Sequence, residues 1–178
     1  MTYPGGNRRI DRILAPEYLL GLTQRPIEAV REMRSEAEQE ETDLSYLRRL
    51  LQGRIDILDA ELGRRRRGEP PGSLVDALPG ILADERSEPR GRGRHVAIEP
   101  SRLDTHRRWV ESLVSDTEIS DPTRHDDDTL ERLRDVLLAE EREVSRKRRA
   151  VQAVMDACTE ELTNRYKNGT ADPGDLLP

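Results

Sequence analysis

Two long segments of the chain align without a gap at an offset of 100 residues, and each carries the pattern E-x3-S-x2-R-x3-Q-x3-D. An internal repeat constrains a fold more than any local propensity, because both copies must find equivalent surroundings. The first copy is Glu41, Ser45, Arg48, Gln52 and Asp56, and the second is Glu141, Ser145, Arg148, Gln152 and Asp156. Over 40–65 against 140–165, ten of 26 positions are identical, among them Glu40/Glu140, Arg49/Arg149, Glu61/Glu161, Leu62/Leu162 and Arg65/Arg165. If a match arises by chance about one time in ten in so charged a sequence, five at one offset come to about one in 100,000. Common descent of the segments follows, and what needs explaining is why these five residues were kept.

Both segments read as helices. Pro26 suits a first helical residue, and Ile27, Val30, Leu44, Leu47, Leu51, Ile55, Leu58 and Leu62 keep helical spacing as far as Gly68 and Pro70-Pro71. Asp126, Asp127 and Asp128 complement the positive end of a second helix, and Leu130, Leu133, Leu137, Val144, Val151, Met155, Cys158 and Leu162 carry it to Lys167, before Gly169. Each would be about 60 Å long at 1.5 Å per residue, too long to stand without a partner. The seam is kept in type between copies, with Lys147 in place of Leu47 as the one departure. The expected fold is therefore all-α, an antiparallel two-helix coiled coil of helices at about 26–67 and 126–167, forming one domain overall. Residues 1–25 form an N-terminal segment with a short helix. Residues 68–125 are a connection, with short amphipathic helices at Ser73–Leu82 and Thr105–Val114 and a mobile Pro/Gly/Arg-rich loop from Ser87 to Arg94. Residues 169–178 form a tail.

Composition narrows the function. Aromatics are 3% of the 178 residues, Phe is absent and charged residues reach 37%, which suits thin helical seams and no thick core. A net charge of -6 argues against coating nucleic acid, so Arg64 to Arg67 and Arg90, Arg92 and Arg94, which lack interleaved aromatics, read as solvated surface. No secretory leader and no apolar run of about 18 residues is present, so the expected location is cytoplasmic with no membrane partner. Cys158 is the single cysteine and falls at an apolar position, as a core residue would. His95, His106 and His125 share neither a helical face nor metal spacing, and no Gly-rich phosphate loop follows a strand, so neither an enzyme nor a metal site is expected.

The placement of the five residues points to a ligand. At about 100° per residue the seam clusters within about 40° of Leu44, whereas residues 41, 45, 48, 52 and 56 fall between about 40° and 120°. The polar row thus lies beside the seam. In an antiparallel pair the two rows flank one groove with the motifs level, around a twofold axis that suits a twofold-symmetric ligand. Arg can place two parallel N–H donors on O6 and N7 of guanine, and a carboxylate can accept from the N1–H and amino group on the other edge. Ser and Gln supply single bonds to sugars, phosphates or base edges. Carboxylates beside a phosphate would repel, which favours reading of bases over simple phosphate clamping.

The doubled pattern, with all ten positions intact, resembles the cyclic di-GMP-binding motif of the RsiG family of actinobacterial anti-sigma factors, as does the flanking run Glu38 to Leu62. The resemblance covers the two long helices. It implies an antiparallel coiled coil with one motif per helix and cyclic di-GMP bound as an intercalated dimer. It also implies sequestration of the sporulation sigma factor WhiG when the second messenger is abundant, with no direct DNA binding. The acidic residues Glu36, Glu38, Glu40 and Asp43 would then face a basic surface of the sigma factor. The alternative is a coiled-coil adaptor without a nucleotide, in which the repeated residues set register and pairing.

Overall fold

The computed structural model describes residues 8–70 and 122–169. The expected short helices at Ser73–Leu82 and Thr105–Val114, the Ser87–Arg94 loop, residues 170–178, His95 and His106 lie outside the described residues. Helix α1 (Arg9–Ile13) is followed by a 3-10 turn at Leu22–Gln24 and the 40-residue helix α2 (Ile27–Arg66). A second 3-10 turn, Pro122–Arg124, leads into the 41-residue helix α3 (Asp127–Lys167). No strand occurs among the described residues, and α2 and α3 pack against each other.

Both long helices begin one residue later than the spacing predicts, because Pro26 and Asp126 stand just outside them. Their carbonyls already accept the first helical bonds, from the N–H of Val30 (3.2 Å) and of Leu130 (3.1 Å). Asp126 is an N-cap, its Oδ1 accepting the N–H of Thr129 at 2.8 Å. The bonds from Thr129 hold the Asp126 carboxyl below its ordinary value. At the far ends, Gly68 (φ 66°) and Gly169 (φ 67°) take the left-handed conformation that stops a helix and strains any side chain.

The chain divides into two compact units, each holding part of both long helices: Met1–Ser45 with Val144–Pro178 (unit 1), and Tyr46–Glu143 (unit 2). The buried apolar residues of unit 1 are Ile13 of α1, Val30, Met33, Ala37 and Leu44 of α2, and Val144, Val151, Val154, Cys158 and Leu162 of α3. Those of unit 2 are Leu47, Leu51, Ile55, Leu58 and Leu62 of α2 with Leu130 and Leu137 of α3. Each fully buried side chain of this size stabilises the fold by about 1.5–3 kcal/mol. The helices run antiparallel in both units. In unit 1, Arg31 donates to Tyr166 (3.0 Å) and Arg34 to Thr159 (3.1 Å). In unit 2, Arg134 pairs with Asp59 and Arg66 with Glu131 (3.0 Å).

The seam departs from expectation where its spacing changes. On α2 the buried positions alternate by three and four up to Leu47 and then step by four twice, through Leu51 to Ile55. Such a stutter relaxes the supercoil locally. On α3 the matching stretch runs Val151, Val154, Cys158, so Val154 is buried and Met155, the sequence counterpart of Ile55, is only half-buried. Lys147 is half-buried where Leu47 is buried. Cys158 is a core residue, and burial pushes its thiol above its ordinary value.

Candidate ligand site

The polar rows sit where the helical wheel puts them. Glu41, Ser45, Arg48, Gln52 and Asp56 are all half-buried, as are Glu141, Ser145, Arg148 and Gln152, and only Asp156 is exposed. Residues at the margin of an apolar seam keep polar heads within reach of a ligand while part of the side chain leaves water. Unit 1 holds Glu41, Ser45, Ser145, Arg148, Gln152 and Asp156; unit 2 holds Arg48, Gln52, Asp56 and Glu141.

In unit 1 the two copies of the motif meet. Oε1 of Glu41 accepts from Ser45 Oγ at 3.0 Å on its own helix, and from Arg148 Nη1 at 3.0 Å and Gln152 Nε2 at 3.1 Å across the seam. Nε of Arg148 is buried and has no hydrogen-bond partner among the described residues. A buried donor without a partner is costly, and in a native protein it calls for a reason such as a ligand. In unit 2 the arrangement differs. Gln52 donates to Asp56 at 2.9 Å along α2, and Arg48 makes no hydrogen bond or ion pair among the described residues.

Several further polar residues turn out to belong to the framework. Arg65 Nε binds Glu61 (2.6 Å), while its terminal nitrogens donate to the carbonyls of Pro122 (2.9 Å) and His125 (2.7 Å) at the start of α3. Arg165 repeats this 100 residues on, with Nε on Glu161 (2.6 Å) and terminal nitrogens on the carbonyls of Leu22 (2.9 Å) and Arg25 (2.7 Å). Each Arg thus closes one 3-10 turn against the end of the opposite helix. The identities Glu61/Glu161 and Arg65/Arg165 carried this signal, although the sequence offers no partner for them. Glu61 is held at about 2, chiefly by hydrogen bonds from Arg64, with Arg65 adding to them against the cost of burial.

The charge runs are partly spoken for as well. Arg64 and Arg65 are committed to Glu61, whereas Arg66 and Arg67 are solvated surface, as expected, with exposed pairs to Glu131 and Glu69. Of the acidic residues on α2, Glu40 and Asp43 are buried under α1 and paired with Arg9, and Glu36 takes Arg12 and the Tyr18 hydroxyl. Glu38 is the exposed member, 3.8 Å from Arg34. The cluster therefore anchors α1 and does not present an open acidic patch. Among the described residues no group of three His, Cys, Asp or Glu side chains gathers as metal ligands, and no helix is long and apolar enough to cross a membrane.

These observations define an all-helical protein whose two long helices pair antiparallel in each unit and carry one copy each of a polar quintet beside the seam. A family model described as RsiG-like matches residues 16–82 and 116–178, which include both long helices, and the chain belongs to that family. Membership points to a regulatory, anti-sigma role with a sigma factor as the kind of partner. No curated protein matches the chain.

Proposed function

We propose that this protein is a cytoplasmic anti-sigma factor that binds cyclic di-GMP through Glu41, Ser45, Arg48, Gln52 and Asp56 and their counterparts Glu141, Ser145, Arg148, Gln152 and Asp156. With the nucleotide bound, as an intercalated dimer and without a metal, it holds a WhiG-type sigma factor away from RNA polymerase. The observation that carries this reading is the meeting of the two motif copies on Glu41, with an Arg148 donor left unpartnered beside it. A row kept only to set register would have its hydrogen bonds satisfied within the protein. Arginine forks and carboxylates together suit the two edges of guanine, and RsiG-like membership supplies the partner class. A nucleotide gripped by both proteins stabilises their complex by linkage, and the partner raises nucleotide affinity by the same factor.

The test is co-elution of the purified chain with a WhiG-type sigma factor, with and without cyclic di-GMP. A complex is expected only with the nucleotide. Replacing Arg48 and Arg148 together by Ala should weaken nucleotide-dependent retention by about a hundredfold or more, since each bidentate contact to guanine is worth about 1–3 kcal/mol. Retention independent of the nucleotide, in wild type or in the double variant, refutes the proposal.

A further inference from the structure

We infer that Glu41 is a positioning residue of the nucleotide site: it grips Arg148 by one terminal nitrogen and so aims the opposite edge of the guanidinium, Nε with Nη2, at the O6/N7 edge of guanine. This rests on the cyclic di-GMP reading and assigns a division of labour within it. A guanidinium offers two forks of parallel donors, one at its end and one along its side, and the side fork consists of Nε and Nη2. Glu41 engages Nη1 alone, at 3.0 Å, which leaves the side fork whole. The Nε–H of that fork is buried and unpartnered. Bulk water does not reach it in the free protein, and a planar edge with two acceptors satisfies it once the side chains that cover it give way.

The carboxylate is itself fixed. Its Oε1 takes Ser45 from the preceding turn and Gln152 from the facing helix as well as Arg148, so three donors converge on one oxygen. An oxygen so occupied is a poor acceptor for the N1–H and amino group of guanine; Glu41 keeps only Oε2 for that task, whereas the aspartates offer less encumbered carboxylates. Among the described residues, the exposed Asp156 has no partner, and Asp56 accepts from Gln52 alone. Arg148 is therefore held before the ligand arrives, whereas Arg48 has no such anchor among the described residues. Holding one recognition group in place lowers the ordering cost of binding.

The experiment is equilibrium dialysis of cyclic di-GMP against the full chain mixed with its sigma factor. It compares wild type with Glu41→Ala, Glu41→Gln, Arg148→Ala and the double variant Glu41→Ala/Arg148→Ala, with helicity checked for each by circular dichroism. Glu41→Ala should weaken binding about tenfold, the scale of one hydrogen bond to a charged group. Glu41→Gln, which keeps an acceptor at the same place, should recover most of that loss. The double variant should bind no worse than Arg148→Ala alone, because a positioning residue has nothing left to position. In the free protein, Glu41→Ala should also speed solvent exchange of the Arg148 Nε–H seen by NMR. Additive losses in the double variant mean that Glu41 touches the nucleotide directly and overturn the inference, as does unchanged binding in Glu41→Ala. Unchanged binding in Arg148→Ala is a different failure and sinks the nucleotide reading of Arg148 itself.

Discussion

In unit 1, Arg165 reaches from Glu161 to the carbonyls of Leu22 and Arg25; in unit 2, Arg65 reaches from Glu61 to those of Pro122 and His125, with distances that agree to within 0.1 Å, 2.9 and 2.7 Å in both. The motif residues of the same two units do not agree. Gln152 crosses to Glu41 in unit 1, while Gln52 in unit 2 turns along its own helix to Asp56. Identical residues at equivalent positions thus make equivalent bonds at the helix ends and different ones in the motif. The end contacts explain why Glu61/Glu161 and Arg65/Arg165 were kept, because the fold needs them. Among the described residues no shared structural bond explains Gln52/Gln152 or Arg48/Arg148, and this is the gap that the proposed nucleotide would fill.

The largest expected effect breaks the symmetry of the two units at α1. Arg9 pairs with Glu40, whose side chain is 2% exposed, and with Asp43 at 7%. Burial, the dominant influence, raises the Glu40 carboxyl, and Arg9 opposes that shift. Replacing Arg9 by Ala strands the buried Glu40, leaves Asp43 with Gln39 alone, and should cost about 3 kcal/mol in urea unfolding near neutral pH. Adding Glu40→Gln should return part of it. If Arg9→Ala costs nothing, α1 is a loose appendage and unit 1 is no better closed than its sequence repeat requires.

A finer comparison sets the two end contacts against each other. Arg165→Ala removes bonds to two buried or half-buried carbonyl sites and leaves Glu161 with no other partner among the described residues, which should cost about 2 kcal/mol. Arg65→Ala should cost less, because Arg64 keeps Glu61 paired at 2.6 Å. The additional contact of Arg65 with the exposed Asp127 adds little. Chemical denaturation of both variants decides the order, and a larger loss for Arg65 would mean that the turn at Pro122 matters more than its counterpart at Leu22.

Acid should separate the units too. Glu61 has a folded value near 2, below its ordinary 4.5, so the stability it contributes to unit 2 is present above about 4.5 and is lost as pH falls towards 2. Glu40 is shifted the other way, so its contribution in unit 1 is greatest below its ordinary value and declines as pH rises through the folded one. Hydrogen exchange resolved by residue should therefore show unit 2 loosening before unit 1 between pH of about 4.5 and about 2. Glu61→Gln should flatten that difference. Simultaneous loosening would show that other carboxylates govern the acid response.

Much of this was legible in the sequence. Spacing by three and four marks both long helices to within a residue, and the wheel puts nine of ten motif residues at the half-buried margin. These are local properties, fixed by residues a turn apart. What stayed hidden depends on groups far apart in sequence. Arg9 meets Glu40 across 31 residues, and Arg165 meets Leu22 across 143. An arginine on a helix surface carries no mark of which carbonyl it will find, and for that reason Arg64 and Arg65 looked like the solvated surface that Arg66 and Arg67 are. The exchange of Val154 for Met155 in the seam was hidden for another reason: both are apolar and adjacent, and only the local winding decides which one turns inward.

The smallest expected effect lies at Gly53, beside Gln52 in the first motif. Its counterpart is Ala153, so the repeat itself shows that a methyl group is compatible with the polar row. A Cβ built at Gly53 meets nothing within 4 Å, and its backbone is helical. Glycine in a helix interior costs about 1 kcal/mol relative to alanine, mainly through the freedom it gives the unfolded chain. Gly53→Ala should therefore raise stability by about 0.5–1 kcal/mol, measured as an upward shift in the urea midpoint with an unchanged slope. If nucleotide and sigma-factor binding are also unchanged, the two motifs tolerate the same neighbour and their different hydrogen bonding comes from elsewhere. A loss of binding with the gain in stability would instead show that the open space over Gly53 is used by a bound molecule, and the equivalence of the two copies would end at that residue.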